Sequence, residues 1–309
     1  MTREFAFIDG LVARLPAPPP GQVWAGDDCA VLADNRLLAT DTVVDGTHLD
    51  LRWCTPADAA WKAVAVNVSD VAAMGGDPEV VVVAVTVPPD HPGLAEGVAD
   101  GLVGACADLE VDLVGGDTTS GPVLTITVTI LGSMPDGAAP VLRSGAHHGD
   151  FVFVTGPLGL AASALDALMA GREPPTPEAA ARLHRPHPRI AEGRAARVAG
   201  ATAMIDVSDG LSADLGHICD ASGCGVGIAP DDVPVAPGVG LQRALTAGDD
   251  YELCFTAPDI AAVERSFHDA GLLPPRRIGI MTPGPHRQLL RSPDHAVPLP
   301  SGGWEHDLG

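Results

Sequence analysis

No stretch of the 309-residue sequence approaches the roughly 18 uninterrupted apolar residues of a membrane-spanning helix, although 46% of its residues are hydrophobic. A membrane protein is not expected. The N-terminus, MTREFAFIDG, places Glu4 and Asp9 where a secretory signal needs an unbroken apolar run, so the expected location is the cytoplasm. The six cysteines, at 29, 54, 106, 219, 224 and 254, include no C-x-x-C pair, which leaves neither a disulfide framework nor a zinc site. Basic residues are scarce: 18 Lys and Arg stand against 40 Asp and Glu, for a net charge of −22. That balance argues against nucleic acid as a partner, because a phosphate backbone is gripped with Lys and Arg. The common fingerprints are missing too. There is no G-x-x-x-x-G-K-[ST], no G-x-G-x-x-G after a strand, no G-x-S-x-G elbow and no H-E-x-x-H, so P-loop, dinucleotide, Ser/His and zinc-protease chemistry lack support.

The length suits two domains of ordinary size. Residues 37–41, 80–87 and 123–131 read as strands, the last two rich in β-branched residues. Thr55-Pro56 with Asp58 supplies a cap, a first-turn proline and a first-turn acid, which predicts a helix from Pro56 to Met74 that stops at Gly75-Gly76. A second helix over 93–109 leads into a strand at 111–114, and Asp77-Pro78 reads as a turn. Gly132 to Gly149 is rich in Gly, Ala and Pro, and the domain boundary is placed there, as 1–136 and 137–309. The second half restarts with a strand at 151–156, a helix over 157–170, a strand, acidic turn and helix over 203–223, and a last strand at 251–256 before another helix. Mixed strands and helices in both halves give an α/β (α+β) fold class with two mixed-sheet domains.

The acids are not scattered. GDD (26–28), TD (40–41), SD (69–70), GGD-TT (115–119) and D-x-S-D-G (206–210) each end an apolar segment beside glycine or a hydroxyl residue. A buried carboxylate is costly unless paired, and protein cations are few here. Mg²⁺ is the economical partner, since it is held by a few carboxylates together with water and phosphate oxygens, and it reverses the local sign for a polyphosphate. Asp70 makes this case best, because it lies late in the almost wholly apolar helix KAVAVNVSDVAAMGG with Asn67 one turn earlier. GGD-TT admits a plain tight turn as well, and Asp206-Val207-Ser208-Asp209-Gly210 admits a plain helix cap. Asp27 reads as a neighbour of the true ligand. The glycines at 115–121 and 156–159 would let backbone N–H groups approach an anion closely.

Taken in order, GDDCAVL (26–32), TDTVVDGTHL (40–49), WKAVAVNVSDVAAMGGDP (61–78), LVGGDTTSGP (113–122), RSGAHHGDFVFVTGPLG (143–159), IDVSDGLSADLGHI (205–218) and GDDYELCFT (248–256) resemble the thiamine-monophosphate kinase family. The resemblance covers most of the chain. It implies the aminoimidazole ribonucleotide synthetase superfamily, with an N-terminal α/β domain that pairs in a homodimer and binds ATP and Mg²⁺, and a C-terminal α/β domain. It implies ATP as co-substrate, thiamine monophosphate as acceptor, and several Mg²⁺ ions held by Asp28, Thr40, Asp41, Asp70, Asp117, Asp206 and Asp209. Gly116, Asp117, Arg143 and Ser208 would contact ATP. His48, Asp249 and Trp304 would meet the acceptor, His48 as a positioning group unless it is only a turn residue.

Three positions depart from the family pattern. Ala39 replaces a common Ser before Thr-Asp, Asp249 replaces a Glu, and Ser120 stands where Arg often follows GGDTT. The acceptor is already anionic, so positioning and charge neutralisation would do the catalysis without a general base. The rivals are another superfamily enzyme, such as selenophosphate or aminoimidazole ribonucleotide synthetase, and a catalytically silent nucleotide-binding protein.

Overall fold

The structure, a computed structural model, describes residues 3–292, 295–304 and 306. After helix α1 (Arg3–Val12), strands β1 (Ala30–Val31), β2 (Arg36–Val44), β3 (Asp77–Val87), β4 (Asp112–Ser120) and β5 (Thr125–Ser133) form a first sheet in the order β1-β2-β5-β3-β4. Only the β3/β4 pair is parallel. Helices α2 (Pro56–Ala73) and α3 (Leu94–Asp108) supply the other side of this domain's core. Leu37, Val43, Val81, Ile126 and Val128 of the sheet pack with Val64, Val68 and Val71 of α2.

The start of α2 follows the sequence expectation. Thr55 Oγ1 accepts the Asp58 N–H at 3.1 Å, and Asp58 Oδ2 accepts the Thr55 N–H at 3.0 Å, which satisfies two orphan amides at once. Met74 caps the helix, and Gly75 takes the left-handed φ of 71° that ends it. Two expectations fail nearby. Asp77-Pro78 is no turn: it opens β3, with Pro78 the second residue, ahead of the β4 pairing that starts at Val80↔Asp112, and the register slips between Pro78 and Val80. GGD-TT is neither a turn nor a loop but the body of β4, paired from Val82↔Gly115 to Val87↔Ser120. Gly116 has a packing reason, since a Cβ there would lie 2.1 Å from the Val83 carbonyl oxygen.

The second sheet comprises β6 (Phe151–Val154), β7 (Ala203–Asp206), β8 (Gly225–Ile228), β9 (Leu253–Ala257), β10 (Arg276–Thr282), β11 (Arg287–Ser292) and β12 (His295–Pro298), in the order β12-β11-β8-β10-β6-β9-β7. Its helices are α4 (Leu160–Met169), α5 (Pro177–His184), α6 (Ile190–Val198), α7 (Leu211–Ser222), α8 (Leu241–Thr246) and α9 (Ile260–Asp269). Alternation along β6 and β9 sends Phe153 and Phe255 to one face, where they stack at 5.1 Å between ring centres and meet Phe267 of α9. Val152, Val154 and Cys254 go to the other, against Leu211, Leu215 and Ile218 of α7. Glu252 is fully buried just before β9 and is bonded by Arg182, Arg189 and Thr155.

Helix α2 touches both halves. Its Ala73 packs in the Phe153 cluster, and its Ala72 carbonyl lies so near Gly193 of α6 that a Cβ there would sit 2.1 Å away. One helix therefore carries the first core on one side and the second domain on the other, which fixes the cleft between them.

Candidate active site

The cleft encloses a cavity of about 1250 Å³ whose lining comes from both domains. The carboxylates at its acidic end arrive from four stretches of the chain. β2 supplies Asp41; α2 supplies Asp70, four and eight residues beyond Val66 and Lys62 on the same cavity-facing side; and the end of β7 with its following turn supplies Asp206, Ser208 and Asp209. Asp28 comes from the segment before β1. Oxygens of Asp28, Asp70 and Asp206 lie within 4.8 Å of one another.

Such a group is electrostatically unsatisfied by protein alone. Burial raises the Asp206 carboxyl to about 8, with Asp28 adding to the effect and the Ser69 hydroxyl, 2.5 Å from Asp206 Oδ2, opposing it. Burial, then Asp41, Asp206 and Asp28, pushes Asp70 well above the carboxylate range. Asp41 is open to the cleft yet hemmed in by protein, and desolvation followed by repulsion from Asp28 raises it as well. Burial raises Asp209 to about 6. Asp28 pairs with Arg143 through Oδ1 at 2.5 Å, while its buried Oδ2 has no hydrogen-bond partner among the described residues. A buried acceptor without a donor, beside two further carboxylates, is the donor set a hard divalent cation needs, so these residues fit Mg²⁺.

Supporting groups fix the carboxylates. Asn67 accepts the Asp41 N–H at 3.0 Å and donates to the Ala63 carbonyl at 2.9 Å, which explains the pair of polar residues in an apolar helix. Asp214 Oδ2 accepts the N–H groups of Asp209 and Gly210 at 3.2 and 3.0 Å and so shapes the acidic turn. Asp27, which also lines the cavity, accepts the Arg143 backbone N–H at 3.0 Å.

Away from this cluster, His48, Asp249 and Trp304 line the same cavity. His48 Nδ1 accepts the Val44 N–H at 3.2 Å, which leaves Nε2–H as the free donor of a neutral ring. Burial, then His306 at 5.0 Å between ring centres and Lys62, lowers the His48 pKa to about 4. Asp249 has a left-handed φ of 68° and accepts from Lys62 Nζ at 2.9 Å and from the Tyr251 hydroxyl at 3.2 Å. Trp304 is half exposed, and its backbone N–H donates to the Asp209 carbonyl at 3.0 Å.

Some expected residues are not gathered. Gly116 and Asp117 do not line the cavity; they sit on β4, the outer strand of the first sheet, where every residue is exposed. Thr40 lines the cavity, but its hydroxyl donates to the Val128 carbonyl at 2.9 Å and faces Thr129. Ala39 is buried in the first core rather than in the cavity. The 156–159 glycines offer no free anion cradle: the Gly159 N–H donates to Asp250 Oδ2 at 2.6 Å, and a Cβ on Gly156 would meet the Glu252 carboxylate. Lys62 was missed, although a lone lysine in an apolar helix was the signal for it.

The N-terminal domain of AIR synthase related proteins matches residues 26–134, and the C-terminal domain matches residues 147–290. The thiamine-monophosphate kinase of Salmonella typhimurium is 44% identical over 252 residues, covering 76% of each chain. That of Mycobacterium tuberculosis is 36% identical over 304 residues, covering 93% of this chain and 87% of its own. A solved structure described as AaThiL complexed with AMPPCP and TMP superposes with a TM-score of 0.85 at 29% identity, covering 98% of this chain and 97% of that one. With both domain matches in register and these identities across most of its length, the chain belongs to the thiamine-monophosphate kinase family of AIR synthase related proteins.

Proposed function

We propose that this chain phosphorylates thiamine monophosphate with ATP, giving thiamine diphosphate and ADP. A terminal phosphate oxygen of the acceptor attacks the γ-phosphorus in line, and the bond from that phosphorus to the β,γ-bridging oxygen breaks as ADP leaves. The observation that carries the reading is the Asp28, Asp70 and Asp206 cluster, with its unpartnered oxygen, in one cavity with His48, Asp249 and Trp304. When bound, Mg²⁺ supplies the positive charge that lets two polyanions meet.

The chain's own residues orient the reactants. Asp28, Asp41, Asp70, Asp206 and Asp209 hold the ions. Arg143 turns its guanidinium fork to the ATP phosphates, and Ser208 at the acidic turn meets them too. His48 donates its Nε2–H to the acceptor, while Asp249 and Trp304 hold its cationic ring system. No side chain is required as a base, because the attacking oxygen is already ionised.

A homodimer through the first domain belongs to the same proposal, as do a domain boundary at 136/137 and action in the cytoplasm. The first sheet keeps one face unburied, where Leu38 and Val82 are exposed beside the Thr40–Thr129 and Thr42–Thr127 hydroxyl pairs. Asp117 and Gly116 lie outside the cavity of their own chain, so a metal or ATP role for them requires a second copy to bring β4 to it. The test is ADP release from ATP and Mg²⁺ with and without thiamine monophosphate, with the product followed by phosphorus NMR. Release that depends on the acceptor and yields a diphosphate is expected; ATP binding without acceptor-dependent turnover would leave the silent nucleotide-binding reading.

A further inference from the structure

Helix α2 presents to the cavity a face that repeats every four residues, Asp58, Lys62, Val66 and Asp70, with Lys62 two turns before Asp70. Eight residues at 1.5 Å each separate the two by about 12 Å along the axis. Lys62 is the one basic residue of the helix and is only 3% exposed. A buried ammonium is costly unless every proton finds an acceptor. Lys62 Nζ donates to the His48 carbonyl at 2.9 Å and to Asp249 Oδ2 at 2.9 Å. These acceptors belong to different domains, one in the loop after β2 and one in the loop before β9. Asp249 is further held by its N–H on the Ser208 carbonyl at 2.8 Å and by the Tyr251 hydroxyl on Oδ1.

A buried ion pair of this kind is a weak source of stability compared with a packed apolar residue, but a good source of fixed geometry. On the reading that His48 and Asp249 meet the acceptor, one ammonium sets their separation, and the same helix sets their distance from the phosphate-handling carboxylates. We infer that Lys62 is the positioning residue of the acceptor site, tying the His48 loop to Asp249 across the domain cleft so that the acceptor's rings bind at a fixed distance from the metal-holding Asp70. Lys62 touches no reacting atom. Its loss loosens the acceptor and leaves the ATP end intact.

The experiment is steady-state kinetics on Lys62→Met, Lys62→Gln, Asp249→Asn and the Lys62→Met/Asp249→Asn pair, each checked for a wild-type circular-dichroism spectrum. The inference expects KM for thiamine monophosphate to rise about tenfold or more in Lys62→Met, the scale of one lost charge-assisted hydrogen bond, with KM for ATP within about threefold of wild type. The paired variant is expected to be no worse than the poorer single one, because both changes break one contact. Lys62→Gln keeps a donor for the His48 carbonyl and carries the same expectation should Lys62→Met fail to fold. A KM for the acceptor within about twofold of wild type in whichever variant folds, or equal losses for both substrates, overturns the inference; failure of both variants to fold assigns Lys62 a purely structural role and overturns it as well. Wild-type turnover that ignores thiamine monophosphate is a separate result, which overturns the functional reading itself and the inference with it.

Discussion

Arg143 and Asp28 form a buried ion pair of 2.5 Å inside the cavity, although the first is expected to serve ATP and the second a metal. Burial disfavours the Arg143 cation, but Asp28, with Asp27 and Asp206 behind it, together outweigh that and raise its pKa. Burial still raises the Asp28 carboxyl, and Arg143 opposes that shift while no phosphate or metal is bound. Arg143→Met is therefore expected to raise KM for ATP about tenfold through loss of the guanidinium fork. The metal-free protein should also melt at a lower temperature, because Asp28 is left buried and unpaired, and Mg²⁺ should restore most of that loss. An unchanged KM for ATP would remove Arg143 from the ATP site.

Asp70→Asn should separate function from stability. The change removes one of three clustered carboxylates, so turnover at saturating Mg²⁺ is expected to fall by well over tenfold. It also relieves repulsion from Asp41, Asp206 and Asp28, so the metal-free variant should melt a few degrees higher than wild type. Near-wild-type turnover in both Asp70→Asn and Asp206→Asn would end the metal assignment.

The pH dependence of stability has a defined sign. The carboxyls of Asp209, Asp27 and Asp206 stand at about 6, about 7 and about 8 in the folded chain, against an ordinary 3.8. With no metal the folded state thus holds more protons than the unfolded one over that range, and stability is lost as pH rises through those values. His48 acts oppositely and lower down: its pKa is depressed from 6.5 to about 4, so its contribution is lost as pH falls through that window. Between about pH 6.5 and pH 8 the carboxylates dominate, since the buried thiols of Cys54 and Cys219, raised from 9.0 to about 11, add their own loss only nearer pH 9. Calorimetric melting of metal-free protein should drop across that range, and Mg²⁺ should flatten the drop; equal slopes with and without the ion would contradict the cluster.

Glu252 offers a control remote from the phosphate chemistry. It is fully buried and accepts from Arg189 Nε at 2.8 Å and Arg182 Nη1 at 2.7 Å. Glu252→Ala strands two partly buried guanidiniums and should cost about 3–5 kcal/mol in urea unfolding. A loss under about 1 kcal/mol would mean that the arginines find other partners.

Asp117 decides the dimer question. Asp117→Asn and Asp70→Asn are each expected to be inactive alone. Mixing the two should restore part of the activity where β4 of one chain serves the cavity of the other, since one site in each mixed dimer then keeps both carboxylates. No recovery on mixing proven dimers would exclude that arrangement.

Much of α2 was legible from residues 55–76, because caps, first-turn acids and terminal glycines act within a few residues of themselves. The short helices α5, α6 and α8 and the strands β8 and β10 to β12 were not, since four to nine residues with little periodicity carry little local signal. GGD-TT was misread for a related reason: Gly116 is small because of the Val83 carbonyl on a neighbouring strand, a contact between residues 33 apart that no local pattern contains.

The sequence by itself determined that costly carboxylates stood at the ends of apolar segments with too few cations to pair them, because burial of charge is a property of residue type and immediate context. Only the tertiary structure decided which of them meet. It brought Asp28, Asp70 and Asp206 within reach of one cation, left Asp117 on an outer strand, and set Lys62 between His48 and Asp249, which are 201 residues apart in the chain. Proximity across domains follows from how α2 packs between two cores, and that packing is a sum over many contacts rather than a feature of any short segment.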